Sequence, residues 1–246
     1  MPELAIIGGT GLTSLHNLHI VRREVVHTPY GEPSGPLTYG ELGGKEVVFL
    51  PRHGSGHNIP PHRINYRANI SALKETGVTK VIAVAAVGGI RTDMVPGRLV
   101  VPDQIIDYTW SRANTFFEDG LTHVTHVDFT YPYGNDLRDL IIKAAKAARL
   151  DIAEEGTYGA TQGPRLETAA EINRLESDGC TIVGMTGMPE AVLARELDLS
   201  YATCAVIANM AAGRGDGVIT MRQIEQHLKS GMENVRTLLE HLVPLL

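Results

Sequence analysis

The sequence predicts a single α/β domain spanning residues 1–246, with a mixed, largely parallel central sheet flanked by helices. Three observations predict it. Strand-length segments such as Leu4–Ile7 and Val81–Val87 are apolar on both faces. Amphipathic helical segments alternate with them. Glycine-rich or polar residues follow directly after several of these apolar runs. Strands without a polar face belong in a largely parallel sheet covered by helices. The ligands of such sheets bind at the carboxyl ends of the strands. The length of 246 residues suits one such domain, since single α/β domains often reach roughly 250 residues.

Taken in order, Leu4-Ala5-Ile6-Ile7 reads as a buried strand that stops at Gly8-Gly9-Thr10-Gly11. Val47–Leu50 is a second strand, ended by Pro51-Arg52-His53-Gly54. The pattern from Asn65 to Glu75 is helical, and Gly77 stops it. Val81–Val87 is a strand closed by Gly88-Gly89, and Leu99–Pro102 and Gln104–Ile106 continue the β character. Residues 110–135 form the longest irregular stretch, of a length that is often functional. From Asp136 to Leu150, apolar Leu137, Leu140, Ile141, Ala144 and Ala148 follow the three-and-four rhythm of an amphipathic helix. Thr181–Met185 is a strand, Pro189–Leu197 a helix with proline in its first turn, and Leu199–Ala208 a strand that ends at Asn209. A long helix from Thr220 to Leu242 closes the chain.

Composition narrows the function. The chain is 43% hydrophobic and 20% charged, which excludes a disordered chain. A formal net charge of −6 without a basic tract argues against nucleic acid as the main partner. Cys180 and Cys204 are far apart and in no Cys-x-x-Cys pair, so they read as buried small hydrophobes, with no metal site or disulfide framework. Met1-Pro2-Glu3 lacks the pattern of a signal peptide, and no apolar run reaches the roughly 18 residues of a membrane span. A cytoplasmic protein with no membrane partner is expected.

Two segments suggest an anion site. Gly8-Gly9-Thr10-Gly11 follows a strand, and there glycines let the backbone approach an anion while the threonine hydroxyl adds a donor. A dinucleotide loop is the rival reading. Thr13 to His19, however, leaves little room for the crossover helix of a βαβ unit, which needs about 10–12 residues or more. Arg52-His53-Gly54 follows another strand and offers the planar donor fork that suits phosphate. A solvated turn is the plainer reading of that segment alone; the two segments together favour a shared oxyanion site.

Three further motifs follow in order: Gly163-Pro164-Arg165-Leu166-Glu167-Thr168, Met185-Thr186-Gly187-Met188-Pro189-Glu190 and Asn209-Met210-Ala211-Ala212-Gly213. With them the chain resembles the trimeric purine nucleoside phosphorylases and their methylthioadenosine phosphorylase relatives, from about Ile6 to the closing helix. The resemblance implies that Thr10, Arg52, His53, the backbone around Ala85 and Ala86, and Thr186 hold phosphate. Relatives often carry a hydroxyl where Ala85 stands. Met185 would pack on the ribose and Leu166 on the purine face. His126 matches a position that reaches into a neighbouring subunit's site, which implies a homotrimer. Glu190, near a helix start, reads as a carboxylate favoured by the helix dipole, without a catalytic role. Phosphate is a co-substrate, and neither cofactor nor metal is implied.

Within this family the base-reading residues divide by substrate. A 6-oxopurine presents an N1–H donor and an O6 acceptor, and adenine reverses both. Ionised Glu167 only accepts, so it suits N1–H and opposes the N1 lone pair of adenine. Asn209 offers its NH₂ to O6 and its carbonyl to a proton on N7, and is the expected catalytic residue. Adenine-cleaving relatives carry carboxylates at the positions of Asn209 and Ala211 and a small residue at Glu167. Mismatched hydrogen bonds in a desolvated site discriminate by about 10⁴ or more. At the 5′ end, Met221 stands where inosine- and guanosine-cleaving relatives usually place a histidine; nearby His227 is the alternative. A thioether suits a methylthio group better than a hydroxyl. The expected reaction is phosphorolysis of 5′-methylthioinosine to hypoxanthine and 5-methylthioribose 1-phosphate in purine salvage. Inosine or guanosine phosphorolysis, or methylthioadenosine phosphorolysis, are the alternatives.

Overall fold

The computed structural model describes residues 2–12 and 17–246. Its strands join into one mixed sheet. The path along it runs β2 (His19–Glu24), β3 (Leu37–Leu42), β4 (Lys45–Pro51), β1 (Leu4–Gly8), β5 (Lys80–Gly89), β10 (Ile182–Gly184), β9 (Thr157–Ala160) and β7 (Gln104–Asp107). A branch leaves β5 through β11 (Ser200–Met210) to β6 (Leu99–Val100) and β8 (Ile152–Ala153). β1 runs parallel to β4 and β5, β11 parallel to β5, and β9 parallel to β10 and β7. The antiparallel pairings are β2–β3, β3–β4, β5–β10 and β6–β11.

Alternation along the central strands divides the core. Val81, Ala83, Ala85 and Val87 of β5, with Tyr201, Ala205 and Ile207 of β11, face one side. There they pack on α1 (Tyr66–Glu75) and α4 (Gly187–Glu196) through residues such as Ile70, Leu73, Ala191 and Leu193. Ile82 and Val84, with Cys204 and Val206, face the other side, against α2 (Asn135–Ala147) and α5 (Met221–Leu242). Helix α5 lies so close to β11 that a Cβ on Gly231 would stand 2.2 Å from Val206 Cγ1. Both cysteines are buried, and burial pushes the Cys204 thiol up to about 12.

Several elements depart from the sequence pattern. Strands β2 and β3 form a hairpin; β2 (His-Ile-Val-Arg-Arg-Glu) is exposed throughout and lacks the apolar run that marks the inner strands. Helix α3 (Ala169–Ser177) buries only Ile172 and Leu175 and starts at a capping box between Thr168 and Glu171. Helix α2 stops at Ala147 rather than Leu150, because Arg149 takes a left-handed φ of 57°. The strand expected over Leu199–Ala208 runs on to Met210, with a register shift between Ile207 and Asn209. Residues 108–134 contain neither helix nor strand. The connection from Thr13 to His19 includes residues 13–16, outside the described residues. No helix among the described residues is long and apolar enough to cross a membrane.

Two irregularities open the sheet at the carboxyl end of β5. Strand β1 stops pairing at Ala83, and β10 begins only at Gly88. The intervening residues keep β11 on one side but have no strand on the other. The β11 bulge lies at the same level, and a bulge re-aims the side chain that follows it, here Asn209.

Candidate active site

The opening in the sheet is the floor of a cavity of about 570 Å³. Thr10, Arg52, His53, Ala85, Ala86, Leu166, Glu167, Met185, Thr186, Asn209, Ala211 and Met221 line it together. These residues come from the ends of β1, β4, β5, β10 and β11, the segment before α3, and the first turn of α5. His126 is exposed on the 108–134 segment and does not line this cavity.

At one end, Arg52 is 1% exposed and bound on three sides. Its Nε and Nη2 donate to Glu190 at 2.7 and 2.8 Å. Its Nη1 donates to the Val84 carbonyl at 2.8 Å, in the stretch of β5 between β1 and β10. A guanidinium has five N–H bonds, so two remain uncommitted. A Cβ on Gly9 would stand 2.9 Å from Arg52 Nη1 and 2.4 Å from the Val84 carbonyl oxygen, so this side chain requires glycine there. Glu190 is fully buried and also accepts from Tyr201 Oη at 2.8 Å. Burial opposes the Arg52 charge, but the Glu190 carboxylate outweighs it and holds the guanidinium above its ordinary range. Glu190 is therefore the buried counter-ion of Arg52, which replaces the helix-dipole role expected for it. No sequence spacing joins positions 52 and 190; the fold brings the residue after β4 and the first turns of α4 within hydrogen-bond reach.

His53 is fixed in one tautomer by its neighbours. Its Nδ1 lies 2.8 Å from the Ile59 carbonyl, which only accepts, so Nδ1 carries the hydrogen and Nε2 is left to the cavity. Burial, then the Arg52 charge, lowers its pKa to about 4. The ring is neutral near pH 7, with Nε2 an acceptor. Thr186 precedes the first turn of α4, and its hydroxyl makes no capping bond to that helix.

At the opposite wall, Thr161 Oγ1 donates to Glu167 Oε1 at 2.6 Å, which orients the carboxylate and leaves Oε2 free. Asn209 Nδ2 donates to the Met210 carbonyl at 2.7 Å, so one amide N–H and Oδ1 remain. Leu166 is 44% exposed at the cavity edge. Beside Asn209, Ile219, Met221 and Ile224 form an apolar end. His227, the alternative to Met221, does not line this cavity; it lines an adjoining depression that shares Asn209, Ala211 and Ile219 with it, and bonds the Ala208 carbonyl at 3.0 Å. Ile219 and Ile224 are additional to the sequence reading: Ile219 sits outside any element, and Ile224 reads as one more apolar position of α5.

The chain matches the Phosphorylase superfamily over residues 3–244. It is 53% identical over 243 residues to a protein of Pseudomonas syringae pv. tomato named a probable S-methyl-5′-thioinosine phosphorylase, covering 99% of each chain. It is 46% identical over 251 residues to the 6-oxopurine nucleoside phosphorylase of Pyrococcus furiosus, covering 100% of this chain and 94% of that one. Methylthioadenosine phosphorylase from Schistosoma mansoni in complex with adenine superposes with a TM-score of 0.95 at 34% identity, covering 100% of this chain and 92% of that chain. Arg52, paired to Glu190, shares one cavity with Glu167 and Asn209 at the carboxyl end of β5, on a fold matched over its whole length. The chain is an enzyme of the Phosphorylase superfamily.

Proposed function

We propose that this enzyme cleaves 5′-methylthioinosine with inorganic phosphate, yielding hypoxanthine and 5-methylthioribose 1-phosphate in purine salvage. The observation that carries this reading is one cavity that combines an acceptor-only carboxylate, a neutral amide and an apolar end. Glu167 accepts N1–H, Asn209 serves O6 and N7, and Met221 with Ile219 and Ile224 receives the methylthio group. The relatives named as thioinosine and 6-oxopurine phosphorylases support the same base class.

In the reaction the C1′–N9 bond breaks and its electron pair leaves with the purine, while a phosphate oxygen bonds C1′. The departing base takes a proton at N7 from solvent and leaves as neutral hypoxanthine, while the proton of monohydrogen phosphate returns to solvent from the sugar phosphate; Asn209 Oδ1 accepts that N7–H. Phosphate sits against the two free N–H bonds of Arg52, the hydroxyls of Thr10 and Thr186, and the backbone of Ala85 and Ala86. With Arg52 paired to Glu190 and His53 neutral, these groups add little net positive charge. The anion keeps its own charge, which stabilises the oxocarbenium character developing on the ribose. His53 Nε2 accepts the O–H of monohydrogen phosphate. Met185 packs on the ribose and Leu166 on the purine. His126 is assigned to the site of a neighbouring subunit in a homotrimer, and the enzyme to the cytoplasm.

The test is the kcat/KM of methylthioinosine, methylthioadenosine and inosine, each with and without phosphate, for wild type and Met221→His. Wild type is expected to need phosphate and to favour methylthioinosine over methylthioadenosine by about 10⁴. Met221→His is expected to move the ratio toward inosine. Phosphate-independent release of base, or equal efficiency on the two methylthio substrates, overturns the reading.

A further inference from the structure

Arg112 lies on the irregular 108–134 segment, outside the cavity lining, and among the described residues no carboxylate forms a salt bridge with it. Its guanidinium mainly bonds two loops, with a further contact from Nη1 to Tyr66 Oη of α1 at 3.2 Å. Nη1 donates to the carbonyls of Met185 and Met188 at 2.8 and 2.6 Å, on either side of Thr186. Nη2 donates to the carbonyls of Thr161 and Gln162 at 3.2 and 2.8 Å, and Nε to Gln162 Oε1 at 3.2 Å. The Thr161 hydroxyl in turn holds Glu167.

We propose that Arg112 is a positioning residue that clamps the base-reading loop to the ribose-and-phosphate turn. It touches no substrate, and its role rests on the site assignment proposed above. The two loops follow different strands, β9 and β10, and their carbonyls point into the same space. The strands hold the loops together as far as the bond from Thr161 N–H to the Gly184 carbonyl at 2.8 Å; beyond it the gathered carbonyls repel one another, and a cation with several donors offsets that repulsion. A planar guanidinium reaches acceptors on both sides at once, which a lysine ammonium on its single nitrogen does not. The clamp fixes the distance between Glu167 and Thr186, and with it the alignment of purine and phosphate about C1′.

The test uses the purified full-length enzyme and variants Arg112→Ala and Arg112→Lys, with whichever purine nucleoside wild type cleaves best. The readouts are kcat, the KM for phosphate, and the ratio of kcat/KM for 6-oxo and 6-amino nucleosides. A misplacement of the loops is expected to lower kcat/KM by about 10²-fold in Arg112→Ala, raise the phosphate KM and flatten the base ratio. Arg112→Lys should recover little of it, and added guanidinium at non-denaturing concentration should partly restore Arg112→Ala. Activity per folded molecule that falls with an unchanged base ratio and phosphate KM overturns the proposal, and so does unaltered activity. Failure of both variants to fold also overturns it, since Arg112 would then hold the fold rather than the site. Should wild type not prefer 6-oxopurines, the substrate reading fails, while the phosphate KM and the guanidinium effect still decide the role of Arg112.

Discussion

His53 is an imidazole held neutral by its surroundings, and this sets a pH dependence. Its folded pKa of about 4 lies below the ordinary value of about 6.5. Between those values the unfolded chain binds a proton that the folded chain refuses, so stability is lost as pH falls from about 6.5 to about 4 and is fully present above that window. The depression corresponds to about 3 kcal/mol at most. Replacing His53 with glutamine removes the titration while keeping a polar group beside Ile59. Urea midpoints measured without phosphate from pH 7.5 to pH 4 should therefore fall less steeply in His53→Gln than in wild type. Parallel curves would mean that His53 titrates normally in the folded enzyme. On the phosphate assignment proposed above, a neutral Nε2 would accept from a phosphate that still carries a proton.

Between elements, the Arg52–Glu190 pair ties the end of β4 to the first turns of α4 and, through Tyr201, to β11. Glu190→Gln leaves a buried guanidinium without its counter-charge, which costs about 3–5 kcal/mol. That uncompensated charge should bind phosphate more strongly, and ligand that binds only the folded state stabilises it by mass action. Thermal melts should show a lower Tm than wild type and a larger rise on adding phosphate. An equal phosphate response in both would separate Arg52 from the anion. The members of this tie differed in how far the sequence revealed them. Arg52 and Gly9 stand after apolar strands and drew notice only as a pair, since the Arg52 segment alone reads as a solvated turn; β1, β4, β5, β10, β11, α1 and α5 were legible from their strong apolar patterns. Glu190 was visible only as a helix-start residue, because its partner is 138 positions away. Arg112 gave no local signal, since four of its acceptors are backbone carbonyls that any sequence supplies and its side-chain partners, Gln162 and Tyr66, are far from it in sequence. Strand β2 and helix α3 escaped for a simpler reason: β2 is exposed throughout, α3 is largely exposed, and neither shows the burial pattern on which such readings depend; β3 is buried, but its Leu-Thr-Tyr-Gly-Glu-Leu sequence has no continuous apolar run.

At the scale of the whole molecule, the 108–134 segment joins the Arg112 clamp to an outward-facing surface. Trp110, Leu121, Val124 and Tyr131 are between 44% and 72% exposed on it, alongside exposed His126. On the homotrimer proposed above, these side chains would belong to the contact between copies. A ring of three copies would cover this segment and carry His126 toward a neighbour's cavity, while Arg112 on the same segment acts within its own chain. Light scattering should give three times the 26.6 kDa chain mass. Mixing two defective chains tests the shared site more directly. His126→Ala removes only the group lent to the neighbour, and Asn209→Ala removes only the group used in the chain's own cavity. Each homotrimer should be impaired. After the two are co-expressed, some cavities combine an intact Asn209 with an intact neighbouring His126, and activity should exceed that of either variant alone. A monomer of 26.6 kDa with full activity, or a mixture no better than the average of its parts, would confine each cavity to one chain. In that case the 108–134 segment would act on the site through Arg112 alone.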